Sequence, residues 1–143
     1  MAIEDTLATI DLFADLDKSD LARIAKATVV RNFKGGDIIV REGEAGVALY
    51  IISKGSVEVV KSFGSANEHV VGTLKGGEFF GEMALFDSHL RSASVRAVTD
   101  CECLVLTKWD FNAELTQNSH VAMAMLAVLS RRIRNLLADA VTH

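Results

Sequence analysis

Proline is absent from these 143 residues and cysteine occurs only twice. Without proline, and without any serine- or glycine-rich linker composition, nothing marks a boundary between domains, and the length itself fits one domain. Cys101 and Cys103 are too few for a disulfide framework. In an extended segment they lie about 6.5 to 7 Å apart along one face, at or beyond the usual disulfide limit. Two buried, reduced thiols in a reducing cytoplasm are therefore expected. No apolar run reaches the roughly 18 residues of a membrane span, and the start, MAIEDTLATIDL, carries acids where a secretory signal would carry basic residues. A basic excess is missing as well. Fifteen Lys and Arg against nineteen Asp and Glu leave a net charge of −4, which argues against direct DNA binding. The four histidines, His69, His89, His120 and His143, are scattered and form no HxH pair. Neither a metal site of the cupin type nor a Ser-His or Cys-His nucleophile is expected.

What remains is ordinary globular composition, 50% apolar and 24% charged, enough to bury a core without metals or disulfides. Residues 1–27 read as helices: Leu7, Ile10, Leu12, Phe13 and Leu16, then Leu21, Ile24 and Ala25, recur at three- and four-residue spacing. Ser19 is the expected N-cap of the second helix. From residue 28 the period falls to two, in short β-branched runs: TVVRNF, DIIV, ALYIIS, SVEVVKSF, HVVGTL, SASVRAV and CLVLT. Glycines at 35, 36, 43, 46, 55, 64, 76 and 77 separate them. Many short strands with glycine turns predict an α+β protein built on an antiparallel β jelly roll over 28–107, in which the glycines at 35, 36, 43, 46 and 55 shape turns and touch no ligand. At Thr107 the period returns to helical. Thr107 is the expected N-cap, with Asp110 three residues on, for a helix over 108–117. A second C-terminal helix, about 120–140, carries one stripe of Ala122, Met125, Leu126, Leu129, Ile133, Leu136, Leu137 and Ala140.

The most informative stretch is GGEFFGEMALFDSHLRSASV, residues 76–95. Gly81 permits close approach of backbone to a ligand, and EMALF makes a single helical turn whose free amides favour an anion. Arg91 can grip two phosphate oxygens with its planar fork, and Ser92 can add a hydroxyl. Glu82 would repel a phosphate and so must face another part of the ligand. A sugar hydroxyl is the natural donor to it.

FGEMAL, five residues, then RSAS resembles the phosphate-binding cassette of the cyclic nucleotide-binding domain family, the type found in regulatory subunits of cyclic-AMP-dependent protein kinase and in the bacterial catabolite activator protein. FKGGDIIVREGEAGVALYIISKGSVEVV is similar to the family's first strands. The resemblance implies a cassette over 80–94 in which Arg91 holds a cyclic phosphate and Glu82 the ribose 2′-hydroxyl. Gly81 and Ala84 supply amides and Ser92 a hydroxyl, with Met83 and Ala93 completing the ligand-binding set. Where the family often has Pro before the arginine, this sequence has Leu90. The resemblance further implies that the last helix covers the base, with Arg134, Leu136 and Leu137 as lid. Aligning the Arg131-Arg132 step puts the two leucines where the bacterial activator carries a polar pair that contacts adenine, so the lid here is apolar.

The ligand implied is cyclic AMP, with cyclic GMP as the alternative, and no other cofactor. The mechanism implied is a switch: ligand and the position of the last helix become coupled equilibria. Since the sequence ends at His143, near the end of that helix, no DNA-reading, kinase or channel output is expected to follow. The signal passes to an unknown protein partner, or to a domain of a longer protein, although Met1 suits a natural start. A pure interaction module with a degenerate cassette is the competing reading. The long helical stripe also suits a homodimer formed through the C-terminal helix.

Overall fold

β-Branched residues at alternate positions and glycines at the reversals organise the middle of the chain into strands, and periodic leucines organise both ends into helices. A computed structural model describes residues 3–87 and 89–142, and the side chains of 3–87 and 89–140. His143, one of the four histidines considered above, and Met1 lie outside the described residues. In chain order the elements are α1 (Ile3–Ala8), a 3₁₀ turn (Asp11–Phe13) and α2 (Lys18–Ala27), followed by the strands. These are β1 (Val29–Phe33), β2 (Ile38–Val40), β3 (Ala48–Lys54), β4 (Ser56–Lys61), β5 (His69–Lys75) and β6 (Phe79–Phe80). A second 3₁₀ turn (Glu82–Leu85) precedes β7 (Ser94–Ala97) and β8 (Cys101–Thr107), and α3 (Lys108–Gln117) and α4 (Ser119–Thr142) follow. Two compact units result: the roll, Thr28–Asp110, and a helical unit made of the residues before and after it.

The roll consists of two four-stranded antiparallel sheets, ordered β1-β8-β3-β6 and β2-β7-β4-β5. Every strand expected from the sequence is present; the two-residue β6 was too short to show a period. Ala48, Ile52, Val57, Ala97 and Cys103 form the roll's core, with Phe33, Tyr50, Val59 and Phe80 packed partly buried against it. Cys101 and Cys103 are buried and not joined in a disulfide, in keeping with their spacing on β8, and the Cys101 thiol donates to the carbonyls of Ser56 and Thr99. Burial pushes the Cys103 thiol up to about 11, which makes it a poor nucleophile. At the end of β8 the Thr107 hydroxyl accepts the amide of Asp110 at 3.3 Å and so caps α3 as expected.

In the helical unit Leu7, Ile10, Leu12, Phe13, Ile24, Phe111, Val121, Met125 and Val128 are fully buried. The rings of Phe13 and Phe111 sit 6.1 Å apart. α2 is capped by Asp17 rather than Ser19: the Asp17 carboxylate accepts the amide of Asp20 at 2.9 Å, and Ser19, already inside the helix, donates its hydroxyl to the same oxygen. Asparagine and aspartate are at least as good caps as serine, and here the helix begins at Lys18, two residues earlier than a Ser19 cap requires. These bonds, the Asp20 amide first, hold the Asp17 carboxyl below its ordinary range. Asp20 itself is buried; it accepts from Arg23 and lies 2.7 Å from His120 Nε2, while Arg23 Nε donates to Glu114 at 2.8 Å.

α4 corrects the expectation of one continuous stripe. Its buried residues are Val121, Met125 and Val128, at i, i+4 and i+7. Of the predicted stripe Met125 alone is buried; Leu126, Ile133, Leu136 and Leu137 are 55–68% exposed, and Ala122 and Leu129 are half-buried. At 100° per residue the two sets centre on faces roughly 100° apart. The periodicity was real, but two apolar faces overlap in it.

Candidate functional site

The cassette starts where β6 ends. Gly81 adopts φ 84°, a left-handed conformation that turns the chain out of the strand and into the 3₁₀ turn Glu82–Leu85. Ala84 and Leu85 are buried and anchor that turn. Its far end is held by backbone pairing with the loop between β2 and β3. The Gly43 amide donates to the Arg91 carbonyl (2.9 Å), Arg91 to Glu44 (2.8 Å) and Gly46 to His89 (3.2 Å), with a β-bridge between Ala45 and Leu90. The Ser94 hydroxyl accepts the Glu42 amide at 2.9 Å and extends the same seam. Leu90, in the place of the family's proline, is thus a paired residue, 56% exposed.

Between turn and seam lies a cavity of about 350 Å³, within the usual size of small-molecule sites, about 300–1,000 Å³. All seven residues of the expected ligand-binding set line it: Gly81, Glu82, Met83, Ala84, Arg91, Ser92 and Ala93. Val40, Val59 and Val95, from three strands of one sheet, give it an apolar wall, and Asp87 and His89 also line it. One expected contact is altered. The Ala84 amide donates to the Gly81 carbonyl at 3.1 Å within the turn, so it reaches a ligand only by sharing its hydrogen. Arg134, Leu136 and Leu137, the expected lid, stand exposed on α4 in the helical unit.

Two residues that the sequence did not single out belong to this site. Gly46 was expected to be a turn glycine without contact to the site, yet it is buried and lines the cavity, and its φ is not in the left-handed region. A Cβ there would sit 3.1 Å from both Ala84 Cβ and Arg91 Nε, so glycine is needed for space rather than for conformation. Tyr50, the one tyrosine of the chain, places its ring 5.9 Å from the Arg91 guanidinium carbon. Neither role has a local signal, because both depend on a contact across some 40 residues.

Arg91 is the electrostatic centre. Arg96, of the same strand region, meets Glu58 at 2.7 Å and Glu68 at 3.5 Å. Arg91 is half-buried and makes no ion pair among the described residues; its Nη2 donates to the Ala48 carbonyl at 2.9 Å. Burial, offset in part by Tyr50, pulls its pKa below the ordinary arginine range. It nevertheless stays charged at neutral pH. A partly desolvated cation with no counter-ion among the described residues, beside an open cavity, has the electrostatics that suit an anion.

Residues 30–118 match the family described as Cyclic nucleotide-binding domain. The chain belongs to that family. Its relatives include cGMP-dependent protein kinase 2 of Homo sapiens, 37% identical over 74% of this chain and 14% of the kinase. The Cyclic AMP receptor protein of Thermus thermophilus is 38% identical over 73% of this chain and 48% of that protein. Among solved structures, the N-terminal domain of a transcriptional regulator from Streptomyces coelicolor A3(2) superposes with a TM-score of 0.85 at 30% identity, covering 92% of this chain and 94% of that one. The chain therefore spans about half, or much less, of the full-length relatives named here. With membership established, the eight antiparallel strands of the described residues are the family's jelly roll, and the cavity lies at the cassette that resembles the family's motif. No helix among the described residues is long and apolar enough to cross a membrane.

Proposed function

We propose that this cyclic nucleotide-binding domain is a receptor for cyclic AMP, and that it acts as a regulatory module in the cytoplasm rather than as an enzyme. The observation that carries the reading is Arg91: a half-buried guanidinium without an ion pair among the described residues, lining a cavity with Glu82 and an apolar wall. A 3′,5′-cyclic phosphodiester supplies the single negative charge that Arg91 lacks. Its one free ribose hydroxyl, the 2′-hydroxyl, is a donor for Glu82, and the base finds apolar packing against Val40, Val59 and Val95. Gly81, Met83, Ser92 and Ala93 frame the phosphate, while the Ala84 amide shares its hydrogen between ligand and turn.

Cyclic AMP is chosen over cyclic GMP because a relative named as a cyclic AMP receptor matches this chain at 38% identity, although the kinase relative, at 37%, is named for cyclic GMP. An apolar lid of Leu136 and Leu137 discriminates weakly between purines, so the preference is modest. Binding moves α4, with Arg134, Leu136 and Leu137 closing on the base, and the moved helix signals to a protein partner in trans or to a fused domain. Coupling of this kind is typically about 1–3 kcal/mol. We further infer a homodimer formed through α4. Its exposed and half-buried apolar residues Ala122, Leu126, Leu129, Ile133, Leu136 and Ala140 follow the alternating spacing of four and three that two paired helices need.

The direct test is Arg91→Ala in a calorimetric titration with cyclic AMP. Leaving a desolvated phosphate without its partner costs on the order of 3 kcal/mol for a half-buried pair. The expected result is roughly a hundredfold loss of affinity or more, and unchanged affinity overturns the assignment.

A further inference from the structure

Arg91 poses a physical question of its own. A long, half-buried cation must be held in place, and most proteins do this with a carboxylate, as Glu58 and Glu68 do for Arg96. A carboxylate next to Arg91 would compete with any incoming anion. The groups that hold it instead are neutral: the Ala48 carbonyl, 2.9 Å from Nη2, and the ring of Tyr50, 5.9 Å from the guanidinium carbon. Both come from β3, two residues apart, on a strand paired on one side with β8 and on the other with β6. The Tyr50 ring is itself fixed. It lies opposite Phe80 in the β3–β6 register and stacks on that ring at 5.0 Å, with the planes only 3° apart. Phe80 immediately precedes Gly81, so one aromatic ring bears on the start of the cassette through the stack and on its end through Arg91.

We propose that Tyr50 is a positioning residue for anion binding: the face of its ring, set by the Phe80 stack, holds the Arg91 guanidinium at the cavity while leaving its charge uncompensated. The inference rests on the reading of the cavity as a cyclic nucleotide site. The attraction is between the cation and the negative face of the ring, so the phenolic hydroxyl is not needed for it. Removing the ring frees the guanidinium to sample positions away from the cavity, and the ligand then pays the cost of ordering it.

The experiment compares the wild-type protein with Tyr50→Phe and Tyr50→Leu by two measurements: affinity for cyclic AMP by calorimetry, and hydrogen exchange of the Arg91 Nε–H signal by NMR in the ligand-free protein. Thermal midpoints control for folding, and Tyr50→Met replaces the leucine variant if that one does not fold. A desolvated cation–ring contact corresponds to about a five- to thirtyfold change in affinity. The phenylalanine variant is expected to bind within about twofold of wild type and to keep the Nε–H protected. The leucine variant is expected to bind about five- to thirtyfold more weakly and to exchange faster. Wild-type affinity in the leucine variant overturns the proposal, and so does an equal loss in both variants, since that would assign the effect to the hydroxyl. If the wild-type protein binds no cyclic nucleotide, the functional reading falls, and the exchange measurement alone decides the role of Tyr50: unchanged Nε–H protection in the leucine variant overturns it, and faster exchange there with protection kept by phenylalanine upholds it.

Discussion

Arg91 is held in place without being neutralised, and the backbone around it has to leave room for the guanidinium. Gly81 does so most tightly. A Cβ at that position would lie 2.5 Å from Arg91 Nη1 and 2.7 Å from the Ala48 carbonyl oxygen, the very acceptor that Arg91 uses. Gly36 has a similar backbone, φ 95° against 84°, yet a Cβ there meets nothing within 4 Å. The pair separates strain from displacement. Alanine in the left-handed region costs roughly 1–2 kcal/mol at either site, so both Gly81→Ala and Gly36→Ala should lower the midpoint of urea unfolding. Only Gly81→Ala should also weaken nucleotide binding, as read by calorimetry on the folded protein. Equal affinities for the two variants would mean that Arg91 has more freedom than the structure gives it. The sequence pointed to Arg91, Glu82 and Gly81 because their chemistry is concentrated in one short, unusual segment. It was silent on Gly46, whose backbone is ordinary and whose lack of a side chain matters only against Arg91. It was silent on Tyr50 too, since alternation in β3 says which face a residue takes and not what the neighbouring strand brings to that face.

Among the elements, α4 carried the most misleading pattern. Eight apolar residues at helical spacing read as one core face, whereas packing uses Val121, Met125 and Val128 and leaves Leu126, Ile133 and Leu136 at the surface. A hydrophobic period alone gives no phase relative to a neighbour, so two adjacent faces merged into one broad stripe. Exposed leucines and isoleucines in such a row mark an interaction surface when they are contiguous. Ile133 sits in the middle of the four-and-three spacing and is 58% exposed. A charge placed there would be buried unpaired in a helix pair. Ile133→Glu is therefore expected to change the protein from dimer to monomer in sedimentation equilibrium, with little effect on the far-ultraviolet circular dichroism. A wild-type protein that sediments as a monomer, or a glutamate variant that remains dimeric, would remove α4 as the interface. The strands, in contrast, were legible almost throughout, because β-branched alternation between glycines is a short-range signal. The two residues of β6 were missed because two positions contain no period. The cap of α2 was misplaced by two residues, since Asp17 and Ser19 are both good caps and only the hydrogen bond to the Asp20 amide distinguishes them.

At the scale of the whole molecule, the helices at the two ends of the chain form one unit and the roll between them another. Each end looked amphipathic, but that the two ends pack on each other was not readable. Their union rests on Phe13 against Phe111 and on charge pairs of large sequence separation, Arg131 with Asp15 and Arg132 with Asp11. Exposed pairs of this kind add little stability singly; the apolar contacts dominate. The roll, by comparison, carries a cavity, a half-buried cation without an ion pair among the described residues, and the motif that resembles the family's cassette. Whether that cavity takes a cyclic phosphodiester is tested most directly by the thermal midpoint of the 143-residue protein with cyclic AMP, cyclic GMP and linear 5′-AMP. Ligand at about 100 times its dissociation constant adds about 2.7 kcal/mol of stability. The predicted result is a rise of several degrees with cyclic AMP, a smaller rise with cyclic GMP and none with 5′-AMP. No rise with either cyclic nucleotide, or an equal rise with the linear one, would contradict it.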